Sequence, residues 1–470
     1  MRSSVTKTML AICTLVYLLA FVETPTSAQR LMRHQPTARS ASFKLNPQTV
    51  RIVRAIDARN VEASIRKLVS FGTRNTLSDQ SNPNRGIGAA RDWLFQEFQK
   101  IAATSGGRMT VDKQSFEQQK GNRIPSPTSI TNVVATLKGT MPASAGRTYV
   151  VSGHYDSMCG NPIDATCDAP GANDDASGTV VVLEMARAMA PHRFDATIIF
   201  MAVAGEEQGL YGSTYFAEQA KQKGIDIEAM FTNDIVGNSL GGNGVRNRNT
   251  VRVFSEGVPT DETPEEANIR RGVGGENDSA SRQLARFIKE TSERYVRHMR
   301  VMMVYRRDRY LRGGDHRPFL ERRYPAVRFT EPNEDYRHQH QNVRIENSIQ
   351  YGDLPQFVDF KYTADVARVN AAALATLALA PARPKGVGLV TTRLTNDTDL
   401  KWDANRESDV AGYEIVWRDT TAAVWTNALW VGKVTSYTVK GMSKDNFFFG
   451  VRAIDHDGNR SPVAFPIPVR

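Results

Sequence analysis

The sequence predicts an α/β protein whose mostly parallel central sheet is flanked by helices, with a small all-β sandwich at the C-terminus. Two observations predict the first part. Short apolar runs typical of buried strands alternate with longer segments, and in these segments apolar residues recur at helical spacing. A third observation predicts the C-terminal sandwich. The composition changes after the proline-containing stretch 380–384, and only short alternating runs follow. A chain of 470 residues is long enough for both.

The first 28 residues have the layout of a secretory signal peptide. Two basic residues precede an apolar run from Met9 to Val22, and the small residues Thr26-Ser27-Ala28 follow. Because the run is shorter than the roughly 20 apolar residues that cross a bilayer, we expect cleavage rather than anchoring. We therefore predict a secreted or periplasmic protein without stable membrane insertion, which begins with a disordered segment at 29–42.

The mature chain is predicted to be basic. Removing the signal takes two positive charges and one negative charge from a net +10, which leaves +9. Much of the excess lies between Arg294 and Arg328, where acidic residues are interspersed. A solvated face explains such a stretch, and weak attraction to anionic surfaces or acidic peptides is the alternative. Since no nucleic-acid motif surrounds these residues, we expect no nucleic-acid partner.

The predicted elements of the first domain, residues 43–380, follow in order. Apolar residues at helical spacing cover 47–70 and 86–102, and a helix over 354–377 closes the domain. Strands and helices alternate between them, which indicates a sheet covered by helices on both faces. The strands are 129–137, 148–152, 197–203, 229–232 and 326–329, and the helices are 178–189, 212–223 and 280–299.

After a linker at 381–385, residues 386–470 predict a seven-strand sandwich. Alternating runs occur at 400–402, 413–417, 436–439 and 447–453. The segment resembles a fibronectin type III domain over nearly its whole length. We expect Trp402 and Tyr413 to be core residues rather than a sugar-binding surface. A surface or a polymer is the candidate partner of this domain.

Two cysteines are expected to form a disulfide. Cys13 leaves with the signal peptide, so Cys159 and Cys167 are the remaining pair, in a loop that contains Gly, Pro and Asp. Exported proteins keep such pairs oxidised. A cysteine metal site is the alternative, and the harder ligands nearby disfavour it.

Five side chains that can bind metals stand in polar turns, most of them at the ends of predicted strands. The carboxyl ends of parallel strands are where an open α/β sheet places its ligands, so we expect the five to converge. Taken singly, each has an ordinary alternative, such as a satisfied polar strand end, a helix cap or a solvated turn. The five are His154, Asp174, Glu207, Asp234 and His340.

Neighbouring acids suggest further roles. Asp156 lies two residues after His154, where it can accept the second N–H of a ligating imidazole. A carboxylate such as Asp174 can bridge two cations about 3.5–4 Å apart. Glu206 and Glu207 end an apolar strand, and two adjacent carboxylates there need partners. One of them can bind a metal while the other accepts a proton from the attacking water.

Together these elements resemble peptidase family M28 over about residues 43–380. The motifs are specific in combination, and the resemblance implies the fold of zinc-dependent exopeptidases. It also implies a cis peptide bond between Asp174 and Asp175. The motifs read His154/Asp156, Gly171 to Gly178, Gly205 to Ser213, Asp234/Gly237 and His340.

The resemblance assigns the ligands of two Zn²⁺ ions per chain. His154 and Asp234 would hold one ion, Glu207 and His340 the other, and Asp174 would bridge them. Two departures are present. The family's late histidine precedes an acid by four residues, which neither His340 nor His338 does, and we choose His340. Gly314-Asp315-His316 replaces a Ser-Asp-His pattern, so His316 is expected to line the cleft or to be a plain turn residue.

By this resemblance the protein would hydrolyse peptide or protein substrates as an aminopeptidase. Glu206 would be the general base that acts on a metal-activated water, and Asp156 would support the catalytic set. Two alternatives stay open: a glutaminyl cyclase-like aminoacyltransferase that uses one zinc, and a non-catalytic receptor or adhesion module.

Overall fold

A computed structural model of the chain describes residues 44–470. The predicted signal peptide and the segment 29–42 lie outside the described residues. Between residues 44 and 470, none of the helices is both long enough and apolar enough to cross a membrane.

The part up to residue 380 contains alternating helices and strands. A 3₁₀ turn, Pro355–Phe357, precedes the last helix. The elements in chain order are α1 (Pro47–Ala55), α2 (Ala58–Val69), α3 (Ile87–Ala102), β1 (Met109–Gln118), β2 (Thr128–Leu137), β3 (Arg147–His154), α4 (Ala176–Met189), β4 (Thr197–Val203), α5 (Glu206–Gly209), α6 (Tyr211–Gln222), β5 (Asp226–Asn233), β6 (Thr250–Phe254), α7 (Pro264–Val273), α8 (Ala280–Tyr295), β7 (Arg300–Val304), α9 (Arg317–Leu320), β8 (Ala326–Thr330), β9 (Arg344–Glu346), β10 (Ile349–Tyr351) and α10 (Phe360–Leu379).

Eight strands form one sheet in the order β1-β2-β4-β3-β5-β8-β6-β7. Its four central strands, β4-β3-β5-β8, are mutually parallel. The pairs β1/β2, β2/β4 and β6/β8 are antiparallel, whereas β6 and β7 are parallel. Buried central strands read as continuous apolar runs, which is why the sequence predicted them. The edge strand β1 has only exposed and half-buried residues after Met109. The predicted α/β class is confirmed.

Helices cover both faces of this sheet, as predicted. On one face a large apolar cluster joins the sheet to helices α1 to α4, α8 and α10. On the other face a smaller cluster joins it to α6 and α9, through Phe216 and Phe319 among others. The carboxyl ends of the central strands lie between these helical layers. The polar turns that carry predicted ligands begin at these strand ends.

Several boundaries differ from the prediction for local reasons. The helix expected over 47–70 is broken at Ile56, whose backbone is extended, and Asp57 then caps α2 by accepting from the Arg59 N–H. The helix expected over 280–299 ends at Tyr295, because residues 300–304 form β7. Helix α7 was not predicted. It buries no residue, yet Thr263 and Glu266 form a capping box at its start, which was a readable signal.

The C-terminal part is all-β. Its own apolar cluster contains Trp402 and Tyr413, whose rings lie 5.4 Å apart, so the prediction that they are core residues is confirmed. Its fibronectin type III character and the domain boundaries at 381–385 stay predictions. The sheets have the orders β15-β12-β11-β17 and β14-β13-β16, built from β11 (Gly388–Val390), β12 (Thr398–Lys401), β13 (Val410–Asp419), β14 (Asn427–Gly432), β15 (Ser436–Val439), β16 (Phe447–Asp455) and β17 (Ile467–Val469).

Charged side chains join this β region to helix α8 and the turn before it. Asp278 is buried and pairs with Arg418 at 2.7 Å and with Arg286 at 2.8 Å. Glu290 pairs with Arg452 at 2.9 Å. Buried charges need partners, so these contacts fix the orientation in which the β region meets α8.

Candidate metal centre

The ends of three adjacent parallel strands bring the predicted ligands together. His154 is the last residue of β3, and Asp234 directly follows β5. Glu206 and Glu207 begin α5, which lies two residues beyond β4. Because β4, β3 and β5 are neighbours, their carboxyl ends place these side chains along one edge of the sheet.

Asp174 lies at the middle of the group. Its Oδ1 is 3.2 Å from Nε2 of His154, and its Oδ2 is 2.9 Å from Nε2 of His340. The same His340 nitrogen is 3.2 Å from Oε2 of Glu207. On the other side, Oδ1 of Asp234 is 4.0 Å from the His154 nitrogen. Two groups of three ligand atoms result, each within 4.8 Å, and Asp174 belongs to both.

The chemistry of this set fits zinc. Imidazole nitrogens and carboxylate oxygens are the usual protein ligands of zinc in hydrolytic sites. Within residues 44–470, Nε2 of His154 and Oε1 of Glu207 are buried and make no hydrogen bond. Buried polar atoms without partners are unfavourable, and a cation between the three atoms of each group would satisfy them.

Comparisons with known proteins place the chain in a family. A model of peptidase family M28 matches residues 132–359. A protein of Leptosphaeria maculans named "Probable zinc metalloprotease" is 52% identical over 417 residues, which cover 89% of this chain and 96% of that protein. The chain belongs to peptidase family M28.

Two solved structures are similar to this M28 peptidase. The LapA aminopeptidase of Legionella pneumophila is 18% identical, with a TM-score of 0.49 over 72% of this chain and 78% of that chain. A glutaminyl cyclase of Porphyromonas gingivalis is 18% identical, with a TM-score of 0.45 over 68% of this chain and 98% of that chain.

Asp156 of the M28 peptidase connects its histidine ligand to its glutamates. Nδ1 of His154 is 3.2 Å from the backbone carbonyl oxygen of Asp156 and 3.5 Å from Oδ1 of its carboxylate. That carboxylate also accepts hydrogen bonds from the Thr76 hydroxyl at 3.1 Å and from the backbone N–H groups of Glu207 and Glu206 at 3.2 and 3.4 Å. The predicted support of His154 is therefore shared with the backbone carbonyl, and the carboxylate positions α5.

Two acids that the sequence analysis did not single out hold the loop of Asp174. Asp353 accepts the backbone N–H of Asn173 at 2.9 Å and that of Asp174 at 2.7 Å. Burial raises the pKa of Asp353 to about 7, although these two donors oppose the shift. Glu331 is also buried and accepts the side-chain amide of Asn173 at 3.0 Å. The loop is thus fixed on both sides by residues far away in the chain.

Asp175 faces away from the ligand atoms. Its carboxylate accepts the backbone N–H of His154 at 3.1 Å and that of Gly178 at 2.9 Å, so it joins β3 to the start of α4. The peptide bond between Asp174 and Asp175 is cis, as the resemblance implied, and a second cis bond follows Asp234.

Arg328 is the main component that the sequence analysis missed. It is fully buried in β8, and its Nη2 lies 2.8 Å from Oδ1 of Asp234. Its Nη1 lies 3.4 Å from Asp308 and donates to the Gly313 carbonyl at 2.8 Å. The available signal was an arginine within an apolar strand, since a buried cation requires an anionic partner.

The loop after β8 brings one of the two candidate histidines to the centre. His340 contacts Asp174, and Nε2 of Gln339 donates to the same Asp174 oxygen at 3.0 Å. The ring of His338 instead stacks on Phe357 with centroids 3.6 Å apart. The geometry thus favours the choice of His340 made from the sequence.

The third histidine of this region, His316, does not line the cavity. It is buried, with Nε2 2.9 Å from the Arg307 carbonyl oxygen, and burial lowers its pKa to about 4. The expectation that it lines the cleft was wrong. Its ring contacts the Arg307 carbonyl oxygen, and the nearby Gly313 and Arg317 line the cavity instead.

The remaining glutamate, Glu206, is half-buried and faces the cavity. Burial raises its pKa well above the usual range, His154 opposes the shift, and Asp234 and Glu207 increase it. A second buried acid, Asp315, contributes in the same direction, and burial raises its own pKa to about 7. A carboxyl group with a raised pKa is suited to accepting and returning protons near neutral pH.

Burial acts on the pKa of the imidazoles in the opposite direction, because their charged form is a cation. Burial would lower the pKa of His340, but Glu207 and Asp174 raise it to about 11. Burial likewise disfavours charge on His154, whose pKa is nevertheless raised well above the usual range by Glu206 and Asp175. The site therefore favours positive charge between its carboxylates, and bound cations would supply it.

A disulfide between Cys159 and Cys167 closes part of the loop after β3, as expected. The cavity above the site has a volume of about 650 Å³. Glu206 and four of the five predicted ligands line it, while His154 lies beneath them.

Proposed function

We propose that the protein is an exported aminopeptidase with two zinc ions, which releases N-terminal residues from peptides. One observation carries the proposal: the two oxygens of Asp174 face different imidazoles, at 3.2 Å for His154 and 2.9 Å for His340. A carboxylate shared in this way is typical of dinuclear hydrolases. The name of the relative from Leptosphaeria maculans supports zinc as the metal. The layout of residues 1–28 supports export.

The size of the cavity supports cleavage near a chain end. Its volume of about 650 Å³ lies within the range of roughly 300–1,000 Å³ that is usual for small-ligand pockets. Such a volume holds the terminal residues of a peptide rather than a long folded segment. We therefore propose short peptides or peptide ends as substrates, and the resemblance to family M28 aminopeptidases favours the free N-terminus.

The proposed mechanism uses Glu206 as the proton carrier. When bound, the zinc ions would polarise the scissile carbonyl and make water a better nucleophile. Glu206 lines the cavity without an ion-pair partner among the described residues, so its carboxylate is free to accept the proton of the attacking water. It then returns that proton to the leaving amine. Asp156 keeps Glu206 in place through the backbone N–H of that residue.

Replacing the proton carrier tests the mechanism. We expect Glu206→Gln to lower kcat about 10²–10⁴-fold, because the amide cannot accept the proton. Zinc content should stay at two per chain, since Glu206 is not assigned as a ligand. The matched control is Glu218→Gln, at an exposed glutamate on α6 that pairs with Arg322. Unchanged turnover in Glu206→Gln would remove this residue from the mechanism.

Zinc analysis combined with a substrate panel tests the activity itself. An aminopeptidase should cleave Leu-p-nitroanilide and leave its N-acetylated form intact, with two zinc ions per chain. One zinc ion together with cyclisation of N-terminal glutamine would instead establish the glutaminyl cyclase alternative. No turnover with both metals bound would indicate the non-catalytic alternative.

A further inference from the structure

We propose that arginines in the wall of the metal cavity form a subsite for a substrate carboxylate. Preferred substrates would then carry a negative charge close to the scissile bond. The inference deepens the proposed peptidase function and rests on it. It also assigns a role to part of the basic stretch 294–328, for which the sequence left a solvated face and acidic peptides as alternatives.

The charged residues of the cavity wall differ in whether the mechanism above uses them. Among residues 44–470, the acidic residues of the wall are Glu206 and the three predicted carboxylate ligands Asp174, Glu207 and Asp234. All four already have roles at the metals or in proton transfer. Its basic residues besides His340 are four arginines, which have no role in the mechanism above. They are Arg123, Arg309, Arg312 and Arg317.

The arginines stand on two sides of the metal centre. A Cβ atom placed on Gly314 would lie 3.4 Å from Oδ2 of Asp234, so the segment 309–317 runs directly beside that ligand. Arg123 lies on the other side, where its Nη1 donates to the backbone carbonyl of Glu207 at 2.7 Å. A substrate bound between the two glutamates and Asp234 therefore passes between positively charged walls.

Glu334, the carboxylate behind the wall, pairs with several arginines and cannot neutralise all of them. Glu334 pairs with Arg252 at 2.9 Å and with both Arg309 and Arg312 at 3.1 Å. One negative charge thus faces three positive charges. Asp308 contacts Arg309 at 3.3 Å but also serves the buried Arg328. The charge of Arg312 is therefore only partly balanced by Glu334.

The two outer arginines are accessible to a ligand. The side chains of Arg312 and Arg317 are 35% and 34% exposed, whereas Arg309 is only 8% exposed and supports the wall from behind. The carboxylate near Arg317 is Glu321, an exposed residue at 3.6 Å, and exposed pairs of this kind are weak. Within residues 44–470, Arg123 has no carboxylate within 4.0 Å. The guanidinium groups can therefore turn toward a bound anion.

The chemistry of the anion follows from the substrate class. Guanidinium groups bind carboxylates through paired, charge-assisted hydrogen bonds. A peptide presents a carboxylate in two ways, either as the C-terminus of a di- or tripeptide or as an Asp or Glu side chain. Both sources fit the same subsite, and substrates that differ in one charge separate them.

The test compares charged and neutral forms of the same peptides. One pair is Leu-Gly-Gly and its C-terminal amide; the other is Leu-Glu-Gly-amide and Leu-Gln-Gly-amide. We expect the zinc-loaded wild type to favour the charged member of at least one pair by about tenfold or more in kcat/KM, mainly through KM. The pair that shows the preference identifies the source of the carboxylate. Raising the salt concentration should weaken it.

Charge-removing variants locate the subsite. In Arg312→Gln and Arg317→Gln the ratio of kcat/KM for charged over neutral substrate should fall about tenfold, relative to each variant's own activity on the neutral peptide. The matched control is Arg306→Gln in the same basic stretch. Arg306 is exposed, stacks on Tyr310 at 4.0 Å and does not line the cavity, so the ratio should stay at the wild-type value. Zinc content confirms that each variant folds.

Two results would overturn the inference: a wild-type ratio close to one for both pairs, or arginine variants that behave like Arg306→Gln. Failure of the proposed function looks different, because the wild type would then cleave no peptide at all. In that case calorimetric binding of Leu-Gly-Gly against its amide, to wild type and Arg312→Gln, decides the carboxylate subsite alone. Equal binding of acid and amide would reject it.

Discussion

The two halves of the metal centre are held by different parts of the fold. His154 and Asp234 stand at the ends of adjacent central strands, and their side chains are almost completely buried. Glu207 stands on the four-residue helix α5, and His340 comes from an irregular loop with its side chain 35% exposed. Asp174 is common to both halves.

This difference indicates how far each half is organised before metal binds. Ladder hydrogen bonds and close packing fix the strand ends, and Arg328 fixes Asp234 further through a buried ion pair at 2.8 Å. His340 instead lies in a turn, outside any strand ladder. We therefore expect the strand half to keep its metal when the loop half is damaged.

The largest effect is expected from the shared ligand. Asp174→Ala removes a carboxylate from both halves, so zinc content should fall from two ions to none and hydrolysis should drop by about 10³-fold or more. Metal analysis after dialysis measures the first effect and the Leu-p-nitroanilide assay the second. The exposed Asp112→Ala on β1 is the control, with full zinc content expected. If one ion stayed in Asp174→Ala, the Asp174 carboxylate would not be a ligand that both halves require.

A smaller loss is expected from the loop half alone. His340→Ala should lower the zinc content from two to one, because His154, Asp174 and Asp234 remain as a complete group. His338→Ala removes a nearby imidazole that stacks on Phe357, and both ions should stay bound. Loss of both ions in His340→Ala would contradict the view that the strand half is organised independently.

The smallest expected effect is the pH dependence of zinc binding. The pKa of His340 is raised to about 11, so near pH 7 the metal-free imidazole is protonated and zinc must displace that proton. The zinc affinity of the loop half should fall about tenfold per unit as pH decreases from 9 to 7, where an ordinary histidine would show little dependence. Competition with a chelator at each pH measures the slope. A flat profile over this range would show that the imidazole is already neutral.

An element of the fold could be predicted when the neighbouring residues in the sequence were enough to show whether it is buried. Strand β4 was predicted with the same bounds, 197–203, because every position after Thr197 is apolar and buried. Strand β7 was missed, since its exposed and half-buried residues alternate weakly next to a helix. The break between α1 and α2 depends on one cap at Asp57 within a continuous helical pattern.

The same distinction applies to the site. His154, Glu206 and Asp234 could be proposed because each follows an apolar strand and carries metal or proton chemistry. Asp353 could not, because its only task is to accept two N–H groups about 180 positions earlier in the chain. Arg328 could be noticed as a charged residue within an apolar strand, but the sequence did not show which residue pairs with it.

The kinds of ligand atoms, the apolar strands that precede them and the helices between those strands follow from the amino-acid order alone. These are local properties, set by side-chain chemistry and by periodicities of a few residues. Folding in three dimensions is needed to bring Asp174 between two imidazoles, to bring His340 rather than His338 to it, and to line the cavity with arginines. These are distances between residues far apart in the chain, and the packing of the whole sheet with its loops sets them.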